Sequence, residues 1–307
     1  MTVKIKKVYK YLPTRVEKLD DLCRSNVGWN KKKILSKTGI SKKRIIEKKQ
    51  SIKDLLIGLK NNNDIPELYD CGLVIIVTQT PHFTIPSNAN YLQNLFKLKK
   101  NCVAFDLNQG CSGYIYGLAT SVSMMKHFKI KKTALVTCDT YSKFISKSNR
   151  ACRTIFGDAI TLSILEKTNR KHFLNFRLGS DGSGFNNFLQ KNGEINMNGS
   201  EMFNFAKNNI PNEINLIIKN SRLKKKHIKY FILHQASKLI IDTLGNNLNI
   251  PKKKLFKNLS NLGNTVSSSI PLALYDLFKK EKIKKNDLIV LSGFGAGYSW
   301  GSCIYRH

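Results

Sequence analysis

Two hydrophobic rhythms alternate along this chain. Short, continuous apolar runs have the length and β-branched content of strands buried on both faces: Leu73-Val74-Ile75-Ile76-Val77, Thr133-Ala134-Leu135-Val136-Thr137-Cys138 and Leu288-Ile289-Val290-Leu291. Between such runs, apolar residues recur at helical spacing. Leu55, Leu56 and Leu59 predict a helix before the strand at 73–78, and residues 91–98 predict another beyond the loop from Pro81 to Pro86. Ile115, Leu118, Ala119, Val122 and Met125 stand at i, i+3, i+4, i+7 and i+10, one buried face of a helix that follows a strand at Cys102–Leu107. The chain opens on an alternating strand over residues 1–12, ended by Pro13. Phe156-Gly157-Asp158-Ala159 turns into a strand that runs to Leu165.

The second half repeats the theme. Tyr230–Leu233 is a buried strand ending at His234, and Asn261-Leu262-Gly263-Asn264-Thr265 is a glycine-bearing turn. That turn opens a helix with Ile270, Ala273, Leu274 and Leu277 on one face. The run 288–291 then enters Gly293-Phe294-Gly295-Ala296-Gly297 and an alternating final strand. Residues 180–200, rich in Gly, Ser and Asn, predict a surface excursion whose Met197-Asn198-Gly199 leads into a helix bearing Met202, Phe203, Phe205 and Ala206. Strands alternating with helices predict an α/β layered fold with helices covering the sheet. Each half carries a reactive or polar residue on a glycine turn before a helix, Cys111 and Asn264. This pattern predicts a structural duplication, residues 1–165 and 166–307, with the active residues meeting between the halves.

Cys111 lies where the first half changes rhythm, in Asn108-Gln109-Gly110-Cys111-Ser112-Gly113. The flanking glycines permit a sharp strand-to-helix turn without a Cβ clash. A helix N-terminus favours the thiolate, the nucleophilic form of cysteine. Cysteine is also among the most buried residue types, so local context leaves two readings open, a nucleophile and a packed core thiol. Among the seven cysteines, Cys71, Cys102 and Cys138 lie in or beside strand-like runs and read as core, and no CxxC pair occurs.

At 307 residues with 41% hydrophobic content, the chain can bury a large core as one domain or two fused halves. No apolar run reaches the length of a membrane span, and no continuous apolar segment follows the Lys-rich N-terminus. Neither membrane insertion nor a secretory signal is expected. An odd cysteine count without framework spacing is what a reducing cytoplasm produces. Lys and Arg number 52 against 20 Asp and Glu, a formal charge of +32 that attracts polyanions. The lysines are spread along the whole chain, and asparagine is abundant beside them, a joint excess typical of biased genome composition. Nucleic-acid binding is therefore not the expected function, and an acidic protein partner is the better match for the charge.

Three segments carry candidate chemistry: Gly110-Cys111-Ser112-Gly113, Leu233-His234-Gln235-Ala236 and Gly263-Asn264-Thr265. Singly, a histidine at a strand end is commonly a structural residue, and an asparagine in a glycine turn is a turn former. Together, Cys, His and Asn each end a strand or lead into a helix, and ligands and chemistry gather at that edge of an open α/β sheet.

With these segments the chain resembles the 3-oxoacyl-[acyl-carrier-protein] synthase III family, decarboxylating condensing enzymes of the thiolase-fold superfamily. The likeness runs nearly end to end. It takes in Thr38-Gly39-Ile40, Thr80-Pro81 with Pro86, the Cys111-Ser112-Gly113 turn, Phe156–Ala159, Met197–Gly199, His234–Ala236, Gly263–Thr265 and Gly293–Gly301. The resemblance implies a thiolase-like fold of two duplicated halves in an α-β-α-β-α arrangement, and a homodimer. It implies that Cys111 accepts an acyl group from a coenzyme A or acyl-carrier-protein thioester. The backbone N–H groups of Cys111 and Ala296 would form the oxyanion hole. His234 and Asn264 would bind the malonyl thioester oxygen and stabilise the enolate left when carbon dioxide departs. Arg150, Lys33, Ile85 and Phe203 are implied at the coenzyme A and acyl sites, and Lys238 at carrier-protein docking. No metal and no cofactor beyond the thioester substrates is implied.

Four positions depart from the family's pattern. Lys33 replaces a tryptophan that stacks on adenine, Leu239 a docking arginine, Ser237 a supporting asparagine, and Ile85 a phenylalanine that can gate the acyl pocket. Two other readings remain within the superfamily. One is an acyltransferase that moves the acyl group from Cys111 to an alcohol or amine without decarboxylation, with His234 as general base. The other is a non-catalytic subunit, which has no chemical need for all three residues. A thiolase would carry a second reactive cysteine near the C-terminal glycine loop, and Cys303 lies too far past it.

Overall fold

The computed structural model describes residues 2–307. The chain first lays down β1 (Thr2–Tyr11), β2 (Val16–Lys18), α1 (Leu19–Arg24), α2 (Lys31–Thr38), β3 (Lys42–Arg44), α3 (Ile52–Asn62) and β4 (Leu73–Val77). Next come α4 (Asn88–Leu95), β5 (Val103–Leu107), α5 (Gly113–His127), β6 (Lys132–Asp139), α6 (Arg150–Arg153) and β7 (Ala159–Thr168). After β8 (Phe173–Ser180), β9 (Phe188–Lys191) and β10 (Glu194–Met197) come α7 (Gly199–Asn220), β11 (Ile228–Leu233) and α8 (Lys238–Asn247). The chain ends with α9 (Ser269–Lys279), β12 (Leu288–Gly295) and β13 (Ser299–Arg306).

Two sheets carry the fold, ordered β1-β7-β6-β4-β5 and β11-β12-β13-β8. From its outer edge the second sheet repeats the first. β8, β13, β12 and β11 take the places of β1, β7, β6 and β4, and each sheet has two antiparallel pairings followed by a parallel one. The place of β5 is held by a single parallel bridge between Phe231 and Leu255. The chain leaves the first sheet at Thr168 and enters the second at Phe173. In this correspondence α5, between β5 and β6, matches α9, between Leu255 and β12, so the Cys111 and Asn264 turns occupy equivalent places.

α5 and α9 lie between the two sheets, while α3 and α4 cover the outside of the first and α7 and α8 the outside of the second. This is an α-β-α-β-α sandwich, and it explains the unbroken apolar run of β4. Leu73, Ile75 and Val77 pack into the cluster of α5 and α9, whereas Val74 and Ile76 pack against α3 and α4. Two predicted segments differ in detail. α4 begins at Asn88 because Ser87 caps it, accepting from the Asn90 N–H. The excursion at 180–200 contains the short hairpin β9–β10, whose four-residue strands are too brief to leave a pattern.

Candidate active site

Parallel strands β4 and β5 deliver the Cys111 turn at their C-terminal ends, and Ser112 precedes the first residue of α5. Neither Gly110 nor Gly113 has a positive φ, so what they supply is space, most firmly at Gly113, where the neighbour is a stiff valine. A Cβ at Gly110 would collide with Gln79 Oε1, and one at Gly113 with Val77 Cγ1. The second half closes over this turn in the same way. A Cβ on Gly293 would stand 2.7 Å from the Cys111 carbonyl oxygen, and one on Gly295 2.7 Å from Cys111 Cβ and 3.2 Å from its Sγ. The end of β12 thus lies directly against the sulfur.

Burial pushes the Cys111 thiol well above its ordinary range, and the Asp139 carboxylate adds to the shift, against a smaller lowering from a backbone hydrogen bond. The thiolate expected from the helix N-terminus is therefore not the resting form. Burial disfavours the charged sulfur, and Cys111 rests as a thiol. Asp139, at the end of β6, is itself pushed up to about 7 by burial, with hydrogen bonds from Ser267 and Gln79 opposing. It accepts from the N–H of Gln79 at 2.8 Å and from the N–H and hydroxyl of Ser267, tying the Cys111 side of the site to the Asn264 side.

His234 ends β11, where its N–H donates to the Ser292 carbonyl at 2.8 Å and continues the ladder to β12. Its Nδ1 meets Ser269 Oγ at 2.7 Å, and Phe294 stands edge-on to the ring at 5.7 Å. Burial pushes its pKa down to about 3, so the imidazole is neutral. Asn264 is held at three points. Its N–H donates to Ile155 O (2.9 Å), its carbonyl accepts from Gly157 N–H (3.0 Å), and its Oδ1 accepts from Val266 N–H (2.9 Å). Among the described residues, neither Asn264 Nδ2 nor His234 Nε2 has a hydrogen-bond partner, and neither do the N–H groups of Cys111 and Ala296.

Cys111, His234 and Asn264 line one cavity of about 980 Å³, also lined by Phe156, Phe188 and Phe294. Cys111, His234 and Asn264 are buried, while Lys33 and Arg150, also lining it, are exposed, so the cavity runs from the reactive trio to a basic mouth. Phe203, on α7, lines it too. Ile85 is 89% exposed and stands outside the cavity of a single chain. Lys238 is likewise off the cavity. Its ammonium pairs with Asp242 at 2.9 Å, and it lines a separate cleft with Lys10, Lys257, Asp276, Lys280 and Lys282.

The 3-Oxoacyl-[acyl-carrier-protein (ACP)] synthase III family profile matches residues 105–182, and that of its C-terminal region matches residues 218–307. The chain is 33% identical to the beta-ketoacyl-[acyl-carrier-protein] synthase III of Listeria welshimeri over 309 aligned residues, covering 97% of each. The chain belongs to the 3-oxoacyl-[acyl-carrier-protein] synthase III family. Among solved structures, a 3-oxoacyl-(acyl-carrier-protein) synthase III superposes with a TM-score of 0.94 at 28% identity, covering all of both chains. The synthase III from Aquifex aeolicus gives 0.91 at 30% identity, over 99% of this chain and 100% of that one. The thiolase-like fold of the family is thus present throughout, and the chain is a condensing enzyme of the synthase III kind.

The departures from the family's pattern can now be located. Ser237 caps α8, its Oγ accepting from the Ile240 N–H, so the serine keeps a helix-capping role. Leu239 is an exposed apolar residue on the cavity lining. Sequence reasoning missed Ser269, the partner of His234 Nδ1, although the run Ser267-Ser268-Ser269 directly after the Asn264 turn was a visible signal. It also missed Asp139, which stands at the end of a continuous apolar strand and reads there as a simple strand stop.

Proposed function

We propose that the chain condenses a primer thioester with malonyl-acyl-carrier protein through an acyl-Cys111 intermediate, as an initiating synthase of acyl chains. The observation that carries this reading is that Cys111, His234 and Asn264 share the buried end of one cavity with unused donors beside them. In the first half-reaction Cys111 Sγ attacks the primer carbonyl, and its proton leaves with the departing thiol of coenzyme A or carrier protein. The N–H groups of Cys111 and Ala296 stabilise the tetrahedral oxyanion, each such donor contributing about 2.7–4 kcal/mol.

In the second half-reaction malonyl thioester loses carbon dioxide, and its C2 carbanion attacks the acyl-Cys111 carbonyl. The C–S bond breaks, and the sulfur regains a proton from solvent. Asn264 Nδ2 and His234 Nε2 donate to the enolate oxygen. Donation from Nε2 requires the ring proton there, and Nδ1 then accepts the Ser269 hydroxyl at 2.7 Å. A ring whose pKa is near 3 is a poor base and a competent neutral donor, which favours decarboxylation over a base-assisted transfer to an alcohol or amine.

Arg150 and Lys33 at the mouth suit the phosphates of coenzyme A or phosphopantetheine, Phe203 contacts the pantetheine arm, and Lys238 serves the docking face. The substrates are thioesters, and the proposed chemistry asks for no metal or resident cofactor. We further propose a homodimer that joins the free edge of β5 to that of a second copy, bringing Ile85 over the partner's cavity. Among the described residues, no helix is long and apolar enough to cross a membrane. All seven cysteines are free, which suits a reducing cytoplasm. Carboxyl-labelled malonyl-carrier protein tests the reaction: wild type releases one carbon dioxide per condensation, and Cys111→Ala forms no acyl-enzyme by intact mass. Turnover without carbon dioxide release would instead favour simple acyl transfer.

A further inference from the structure

Lys43 is a lysine buried to 2% exposure in the short strand β3, a site the reaction does not use. Its ammonium donates to the carbonyls of Arg153 and Phe156, the latter at 2.8 Å, and pairs with Glu17 at 2.9 Å. Glu17 also pairs with the guanidinium of Arg153. A buried ammonium is costly to desolvate, and its place here follows from the two carbonyls and the carboxylate that surround it.

The Phe156 carbonyl and the Gly157 N–H belong to one planar trans peptide, so they point in opposite directions. Lys43 holds one side of that plane, and the other donates to the Asn264 carbonyl at 3.0 Å. The preceding residue, Ile155, accepts the Asn264 N–H. Lys43 also fills space. Its Cβ would lie 3.1 Å from a Cβ on Gly263 and 3.3 Å from one on Gly157, the residues that flank this contact. The residue just before β3 grips the other approach to Asn264 as well, because Ser41 N–H and Oγ both donate to Ser260 O, at 2.9 and 3.0 Å.

We infer that Lys43 is a positioning residue for Asn264, fixing through the Phe156–Gly157 peptide the place from which the amide meets the malonyl thioester. The inference rests on the decarboxylating reading above. It predicts an effect confined to the second half-reaction, because Cys111 and its turn make no contact with Lys43.

The test compares Lys43→Met, Lys43→Arg and wild type in the full-length protein, reading acylation of Cys111 by acetyl-CoA separately from carbon dioxide release from malonyl-carrier protein. Lys43→Met is expected to slow carbon dioxide release about 10–100-fold, the effect of a misplacement near 1 Å, with acylation within about twofold of wild type. Lys43→Arg restores most of the rate. In an Asn264→Ala background, Lys43→Met has no further effect, since the two act as one unit. Equal losses in both half-reactions, or additive losses in the double variant, overturn the inference. Amide hydrogen exchange needs no turnover: at Gly157 and Asn264 it rises at least about tenfold in Lys43→Met while α5 is unchanged, and unchanged exchange there also overturns it. If Lys43→Met does not fold, Lys43→Gln is read the same way. A wild type that releases no carbon dioxide refutes the proposed reaction, and exchange then judges Lys43 alone.

Discussion

Desolvation acts on Cys111 and His234 in opposite chemical senses, raising the thiol's pKa and lowering the imidazole's, so both groups are neutral in the empty cavity. A neutral pair needs no charge reorganisation when an uncharged thioester arrives, and charge first develops on the oxyanion, where the free N–H groups stand. The sign for His234 is direct. Its ordinary value is about 6.5 and its value in the fold is about 3, so the neutral form persists across the whole range between. Carbon dioxide release from malonyl-carrier protein, measured on pre-acylated enzyme, is therefore expected to show no histidine inflection between pH 5 and about 8. An inflection near 6.5 that persists in Asp139→Asn, which removes the carboxyl pushed up to about 7, would mean that a charged imidazolium takes part. The same depression lowers stability as pH falls through the unfolded value, because the unfolded chain takes up the proton first.

At the scale of elements, β5 is the one strand of the first sheet that is both at an edge and beside the reactive turn. It pairs with β4 on one side only, Val103 is 43% exposed, and the exposed Ile85 lies on the loop after β4. An apolar unpaired edge of this kind is a template for another strand. Sedimentation velocity is expected to show a dimer of the 34.9 kDa chain at micromolar concentration, and Val103→Asp to shift it to monomer. A monomeric wild type would contradict the pairing. Elements of this core were legible in the sequence where burial is two-sided: β4, β6 and β12 as continuous apolar runs, α5 and α9 as single apolar faces. The reactive trio was legible because each member sits where one rhythm ends. β2 and β3 were not, since Glu17 and Lys43 read as solvent-facing charges and are in fact buried against each other. The glycines beside Cys111 were legible as places where a Cβ would clash, but sequence does not show which side chain approaches each of them.

Across the whole molecule, 52 basic against 20 acidic residues leave most lysines without a carboxylate to pair with, and those at the cavity mouth are Lys33 and Lys37, joined by Arg150. Such a field raises the rate of encounter with an acidic protein and adds little once the complex has formed. The salt dependence should therefore fall on association. Raising ionic strength from about 0.05 to 0.5 M shrinks the screening length to a few ångströms. Over that range kcat/KM for malonyl-carrier protein is expected to fall at least about tenfold while kcat holds. Arg150→Glu, at the mouth and remote from Cys111, should reproduce part of that loss at low salt and flatten the dependence that remains. Acylation of Cys111 by acetyl-CoA, a small ligand whose phosphates meet only the charged mouth while its acyl group reaches the sulfur, should respond to salt more weakly than the protein substrate does. Equal salt slopes for the two substrates would place the useful charge in the mouth alone and leave the remaining surface charge as composition without a role in docking.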